Sequence, residues 1–298
     1  MNNKILILVR SLSVGGAERQ AILNTIVLNE KKWNVTLAVF YHETLIYDQA
    51  MIPEKIQTII LSNSNKKSIF SVLKGLYKLV LKNNYCIIYS FTGVPNIIAA
   101  LCKIIYNNIK IIWGIRATNI NQKFYPLKYK IEVFIEKLLC RIPDLIISNS
   151  NAGARDIIKK GYPSQKIAII PNAIDTHRFK HPNKSIQYSK INWFKNAPGI
   201  SVIGCIGRLD PMKDHKTLLH AFKYINDIDN TFRLAIIGQD PKGLKTELIL
   251  LAQTLGIVNK IVWIEHCSEI ENFYKSFDIF TLSSAYGEGF SNVLAESM

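Results

Sequence analysis

Cysteine is scarce and poorly placed for cross-linking. The five thiols, at positions 86, 102, 140, 205 and 267, make neither a CxxC pair nor a Cys/His cluster, so neither a structural zinc site nor a disulfide framework is expected. Free thiols inside apolar runs suit a reducing compartment. Glycine and proline are also few, 15 and 10 among 298 residues, which rules out fibrous and low-complexity chains. Long apolar runs are missing. The run that opens the sequence stops at Arg10, short of a signal-peptide core, and no stretch approaches the ~18 uncharged apolar residues of a membrane span. These absences place the chain in the cytoplasm. Negative charge is in deficit, with 22 Asp and Glu against 37 Lys and Arg and a formal net charge of +15. That balance favours anionic partners such as nucleic acid, phosphorylated substrates or an anionic membrane face.

What is present is a globular composition, 48% apolar and 20% charged, in a chain long enough for two domains at about 150 residues each. Runs rich in β-branched residues recur at 4–9 (KILILV), 34–41 (NVTLAVFY), 57–61, 86–91, 110–115, 144–149 and 166–170. Each is followed by a helical pattern, and this alternation predicts parallel sheet covered by helices on both faces. The pattern fails between Pro171 and Pro198, in a stretch of Pro, Asn and Lys that reads as an interdomain connection. It restarts at 200–207, 232–238, 260–265 and 277–284, with helices expected near 213–226, 241–255 and 268–275. The expectation is an α/β chain of two tandem doubly wound domains, 1–180 and 181–298. The second reads as incomplete, short of two or three βα units of roughly 30 residues.

Open α/β sheets bind ligands beyond the carboxyl ends of their strands, so the turns there carry the candidates. In RSLSVGGAERQ, Gly15 and Gly16 permit close backbone approach and lead into a helix N-terminus suited to an anion. The spacing is not the GxGxxG dinucleotide fingerprint, and a glycine-rich turn without ligand competes. In GRLDPMKDHKTLLHAF, Gly207 frees the backbone while Arg208 and Lys213 share one strand-to-helix loop. Two such cations suit a diphosphate leaving group, and ordinary surface cations compete. In AYGEGFSNVLAESM, Glu288 lies in a Gly-flanked turn and Glu296 about one turn into a helix from Asn292. The two carboxylates can then reach different hydroxyls of one ligand; a capping acid plus a solvated face competes. A fourth turn, IIPNAIDTHRF at 169–179, says by itself only loop.

Taken in order, and together with SNSNAGARDIIKKGYPSQKIAIIPNAIDTHRF and LAIIGQDP, these segments resemble the retaining glycosyltransferases of family four, also called group 1. Their fold is GT-B, two Rossmann-like domains facing a cleft. The resemblance spans the whole chain. It implies that Arg208 and Lys213, with Gly207, hold the donor's diphosphate. It makes Glu288 and Glu296 the acids of the E-x7-E motif, the first near the transferred sugar and the second on the donor ribose. It places Gly15 and Gly16 on a loop facing the donor phosphates and the acceptor, and the amides around Gly289, Phe290 and Ser291 near the sugar and phosphate. The implied activity moves a sugar from a nucleotide-diphosphate sugar to a glycan or lipid-linked acceptor in cell-surface polysaccharide or lipopolysaccharide synthesis, with no cofactor or metal. The donor would bind the second domain and the acceptor the first, at the cytoplasmic membrane face, with 171–198 as hinge. Two positions depart from the pattern. WGIRATN carries Arg116, an acceptor-side candidate, where many relatives have His, and IIGQDP carries Asp240 where Gly is common.

Sugar nucleotide epimerases share this fold and are the rival enzyme class; a truncated remnant that binds nucleotide or membrane without turnover is the non-enzymatic rival. Nucleic acid is not an expected partner, because the basic residues are dispersed and no reading motif occurs. Asp227-Ile-Asp229 has the DxD spacing of a metal site but sits where Asp is favoured by turn chemistry. His42, His177, His181, His215, His220 and His266 are scattered and read as surface or packing residues. Residues 123–141 place Leu127, Ile131, Phe134, Ile135, Leu138 and Leu139 on one helical face, with Lys123, Lys128, Lys130, Lys137 and Arg141 nearby. The stripe is expected to pack into the core, leaving the basic residues for lipid headgroups. Lys66, Lys67, Lys74, Lys78 and Lys82 extend that basic surface.

Overall fold

The computed structural model describes residues 3–12, 15–41, 52–53, 56–62, 68–118, 125–180, 199–265 and 270–298. The expectations at His42, Lys66, Lys67, Lys123, His181, His266 and Cys267, and most of the 171–198 connection, lie outside the described residues. The chain divides into two compact units, Met1–Ala173 with Glu288–Phe290, and Ile174–Gly287 with Ser291–Met298.

The first unit is built on β1 (Lys4–Val9), β2 (Asn34–Tyr41), β3 (Gln57–Ser62), β4 (Ile87–Phe91), β5 (Lys110–Ile115), the two-residue β6 (Ala117–Thr118), β7 (Leu145–Ser148) and β8 (Ile167–Ile169). Seven of these form one sheet in the order β3-β2-β1-β4-β5-β7-β8. Every pairing is parallel, with Ile5 opposite Val35 on one side and Ile87 on the other. Helices α1 (Gly16–Glu30), α2 (Ile69–Asn83), α3 (Gly93–Ile105), α4 (Leu127–Leu139) and α5 (Asn151–Lys159) lie between the strands in sequence.

The apolar strands divide by their two-residue period. Leu6, Leu8, Phe40 and Ile88 join Val72 and Leu76 of α2, Ile98 of α3 and Ile157 of α5. Ile5, Ile7, Val9 and Leu37 join Ala21 and Ile22 of α1. Strand order explains the uneven layers: the chain leaves β1 in one direction and returns past it to β4, so right-handed crossovers put α1 on the opposite face from the later helices. Both faces are covered, as the alternation implied, by α2, α3 and α5 on one and α1 on the other. An open cavity of about 300 Å³ beside α1 leaves Ile5, Ile87, Ile112 and Ile147 at its lining.

The apolar stripe of α4 was expected in the core, and this expectation is corrected: no residue of α4 is buried. Its carboxylates turn inward instead. Glu132 accepts from the Val94 N–H at 3.1 Å and Glu136 from Asn96 Nδ2 at 2.7 Å, both at the N-terminus of α3, where negative charge meets the positive end of the helix dipole.

The second unit has β9 (Ser201–Ile206), β10 (Phe232–Ile237), β11 (Ile261–Ile264) and β12 (Ile279–Phe280) in a parallel sheet ordered β11-β10-β9-β12. Helices His215–Ile228 and Lys245–Thr254 cover one face with Leu218, Leu219, Phe222, Leu248 and Ala252, and Phe273 packs on the other. Residues 174–180, grouped with the first half on sequence, sit in the second unit. In α6 (Thr176–Lys180), Arg178 Nη2 donates to Glu271 Oε2 at 2.8 Å and the Phe179 ring meets Tyr274 edge-on at 5.7 Å.

Candidate functional site

Strand β9 runs out into Gly207, Arg208 and a one-turn 3₁₀ helix, Pro211–Lys213, before the helix His215–Ile228. The Gly207 N–H donates to the Ile237 carbonyl at 2.9 Å and the Leu209 N–H to that of Gln239 at 2.8 Å, so the loop starts at the carboxyl edge of the sheet. Asp210 shapes it. Its Oδ1 accepts from the Met212 N–H at 3.0 Å and its carboxylate pairs with Lys242 at 3.0 Å.

Lys213 then lies over Gly207, whose Cβ, if present, would stand 3.3 Å from Lys213 Cε. Asp214 follows at φ +47°, a left-handed conformation costing about 1 kcal/mol or more. In that conformation its carboxylate caps the helix through the Thr217 N–H at 3.3 Å and Oγ1 at 2.7 Å. A segment from the end of the chain holds the same loop: Ser283 Oγ donates to the Lys213 carbonyl at 2.7 Å and the Ala285 N–H to that of Met212 at 2.9 Å. This is why β12 is shorter than the 277–284 run suggested. The result is an exposed Arg208 and a half-buried Lys213 on one loop before a 14-residue helix that Asp214 caps, two cations suited to phosphate oxygens.

Other residues of this unit complete the picture. Glu296 is buried in the helix Asn292–Ser297 and accepts from the Tyr274 hydroxyl at 2.8 Å. Ser291 Oγ is buried without a hydrogen-bond partner among the described residues. His215 is buried behind the loop, and burial, reinforced by Lys213, pulls its pKa down to about 4. Asp240 caps the helix Lys245–Thr254, accepting from the Leu244 and Lys245 N–H groups at 2.8 and 2.9 Å. The DxD residues are spent locally: Asp227 pairs with Lys223, and Asp229 accepts from the Thr231 N–H at 2.9 Å.

In the first unit, Arg116 leaves the end of β5 and is held on three sides. Its Nη2 donates to the Tyr89 hydroxyl at 2.6 Å, its Nη1 to Asn172 Oδ1 at 2.8 Å, and its guanidinium lies 5.0 Å over the Phe91 ring. Burial pulls its pKa down, opposed by Tyr89. Asn172 belongs to the fourth turn, which sequence reading left as a loop. Gly15 precedes α1 and accepts from the Arg19 N–H at 3.0 Å, with Gly16 as the first helical residue and Glu18 in the first turn. Glu288, Gly289 and Phe290 group with this unit. A Cβ on Gly289 would overlap Asn149 Oδ1, and Asn149 Nδ2 donates to the Arg116 carbonyl at 3.2 Å.

The structure thus brings Gly207, Arg208 and Lys213 together in the second unit, which also holds Ser291 and Glu296, while Gly15, Gly16, Arg116 and Glu288–Phe290 belong to the first. Sequence reading missed Asp210, Asn149 and Tyr89. The Asp-Pro pair at 210–211 was a turn signal that could have shown the first, but Tyr89 and Asn149 lie in or beside strands and carry none.

Two Rossmann-like units, with paired cations on the loop after the first strand of the second, define the class of GT-B glycosyltransferases. The chain belongs to Glycosyltransferase Family 4, whose pattern it matches over residues 14–178, and residues 191–298 match Glycosyl transferases group 1. It is similar to the lipopolysaccharide 1,2-N-acetylglucosaminetransferase of Salmonella typhimurium, 24% identical over 203 residues that cover 65% of this chain and 51% of that protein. It is likewise similar to the D-inositol 3-phosphate glycosyltransferase of Nocardia farcinica, 24% identical over 54% of this chain and 37% of that one. The chain spans about half or less of the length of these curated relatives. Its fold is similar to that of Anabaena HepE, solved in complex with UDP and glucose, with a TM-score of 0.77 at 19% identity over 99% of this chain and 77% of that one.

Proposed function

We propose that this chain is a retaining glycosyltransferase that moves a sugar from a nucleotide-diphosphate sugar to a glycan or lipid-linked acceptor in the synthesis of a cell-surface polysaccharide. It acts at the cytoplasmic face of the membrane, with the donor on the second unit and the acceptor on the first. The observation that carries the reading is the Gly207–Lys213 loop, where Asp210, Ser283 and Ala285 hold the backbone so that Arg208 and Lys213 stand together on one loop before a capped helix. The UDP and glucose bound by HepE and the lipopolysaccharide chemistry of the Salmonella relative support it.

Cleaving a sugar–phosphate bond leaves negative charge on the β-phosphate and positive character at the anomeric carbon. Cations held in place before the reaction stabilise that charge by several kcal/mol without reorganising. Arg208 and Lys213 meet this demand, Glu288 lies near the sugar, and Glu296 takes the ribose hydroxyls. Retention follows from attack on the same face as departure, the leaving phosphate helping to deprotonate the acceptor. No protein nucleophile is assigned.

The test is a panel of nucleotide sugars scored by thermal stabilisation, followed by product analysis with and without acceptor. One nucleotide-diphosphate sugar should stabilise the chain where its free sugar does not, and should be consumed only with an acceptor. If no member of the panel stabilises the chain, the donor reading falls; an epimerised donor formed without acceptor moves it to the epimerase class.

A further inference from the structure

Asn149 follows β7 at the carboxyl edge of the first unit's sheet, where its N–H donates to the Ile115 carbonyl at 3.4 Å. It is 1% exposed. Its side-chain amide has one orientation open to it: the Arg116 carbonyl can only accept, so Nδ2 faces that oxygen, at 3.2 Å, and Oδ1 is left on the other side. Oδ1 is buried without a hydrogen-bond partner among the described residues, a loss of stability that buried amides ordinarily avoid. What it meets is Gly289. A Cβ there would stand 2.3 Å from Oδ1 and 3.3 Å from the Arg116 carbonyl oxygen, so the amide and the carbonyl it holds are two walls that only glycine fits. Glu288, one residue earlier, lies in a short strand paired with β6, which begins one residue after Arg116. Residues 288–290 are thus seated on β6, the Arg116 carbonyl and the Asn149 amide, all within the first unit.

We infer that Asn149 is a positioning residue for sugar transfer: by holding the Arg116 carbonyl and stopping Gly289 at contact distance, its amide sets where the Glu288 carboxylate stands. Buried against Gly289, Oδ1 acts through Glu288 and not by contact with the sugar. A carboxylate beside a reacting sugar has to be held within about 0.5 Å of its working place, and about 1 Å of misplacement costs on the order of 100-fold in rate. An alanine at 149 would leave the Arg116 carbonyl without its donor and residues 288–290 without their stop. The inference rests on the proposed function for what Glu288 does, while the seat itself can be measured without a donor.

The first measurement is hydrogen–deuterium exchange of the 298-residue chain, read by mass spectrometry on peptides containing residues 288–290. Asn149→Ala should speed exchange of these amides about 10-fold or more by freeing the segment to open locally, while the melting temperature and the exchange of β1 and β4 stay as in the parent. Gly289→Ala, which approaches the same contact from the other side, should speed the same peptides. The second measurement is turnover. Asn149→Ala should lower kcat roughly 10- to 100-fold with the donor KM within about twofold. In a Glu288→Gln background the same substitution should lower kcat less than about twofold, because residues that act as one unit are not additive. Thermal stabilisation by nucleotide sugar should be equal in parent and Asn149→Ala, so failure of the seat is read by exchange and failure of the donor reading by the parent's own stabilisation. Unchanged exchange at 288–290 in both variants, or an equal loss of kcat with and without the Glu288 carboxylate, would overturn the inference.

Discussion

Charge leaving a sugar–phosphate bond falls on the β-phosphate, and the proposed function gives Arg208 and Lys213 the role of meeting it. Arg208→Ala or Lys213→Ala should each lower turnover at least about 100-fold, the scale of one lost charge-stabilising donor. Steady-state rates near the parent's in both variants would remove the phosphate role. Glu296 is buried and held by the Tyr274 hydroxyl, and the proposed function places it on the donor and not at the reacting centre. Glu296→Ala is therefore expected to raise the donor KM more than Glu288→Ala does, and equal effects would contradict the division of roles. His215 sets a pH limit. Its folded pKa of about 4 lies below the ordinary 6.5, so as pH falls the unfolded chain takes the proton first. Its contribution is complete above pH 6.5 and lost progressively between 6.5 and 4. Substituting His215→Gln should flatten the melting temperature over that window; an unchanged slope would assign the acid sensitivity to another group. Of these residues, the cations and the two glutamates were legible as motif positions. The burial of His215 was not, because a lone histidine in a helical pattern carries no sign of what packs over it.

At the scale of the element, α4 separates what periodicity conveys from what it leaves open. The stripe at 127, 131, 134 and 138 was readable, yet its direction was read wrongly, because a stripe of apolar residues says that one face is apolar and not what that face meets. Two carboxylates docking on the N-terminus of α3 decided the matter. Burial, with the nearby Glu132 charge adding to it, pushes the Glu136 pKa up to about 7 from 4.5 against the pull of Asn96. An acid raised in this way contributes most below pH 4.5 and loses that contribution as pH rises through 7. Glu136→Gln keeps an acceptor for Asn96 and removes the charge. It should raise the melting temperature by roughly 2–4 °C at pH 8, the shift about 1 kcal/mol gives in domains of 150–250 residues, and leave it unchanged at pH 4. A scan showing no gain at pH 8 would overturn the raised pKa of this half-buried carboxylate. The strands were legible almost residue for residue where they lie inside a sheet, as in β1 and β2, since a strand buried on both faces writes itself as a continuous apolar run. The last run was not: β12 keeps only Ile279–Phe280, because Ser283 and Ala285 bond to the loop carrying Lys213.

Across the whole molecule, alternation of strand and helix predicted two Rossmann-like units, and the chain has two. The junction moved by several residues, from 180 to 173, since α6 is tied to the second unit by Arg178 on Glu271 and Phe179 on Tyr274. Strand order was also beyond the sequence, and with it the cavity beside α1. The local determinants of this protein, namely most of its strands, where the chain turns, and which turns carry paired cations or paired acids, follow from side-chain period and backbone freedom and were readable in the sequence alone. Tertiary structure alone decided which groups distant in the chain meet: Arg116 with Tyr89 and Asn172, Lys213 with Ser283, Glu136 with Asn96. Those meetings depend on strand order and crossover direction, and period and composition carry no record of either.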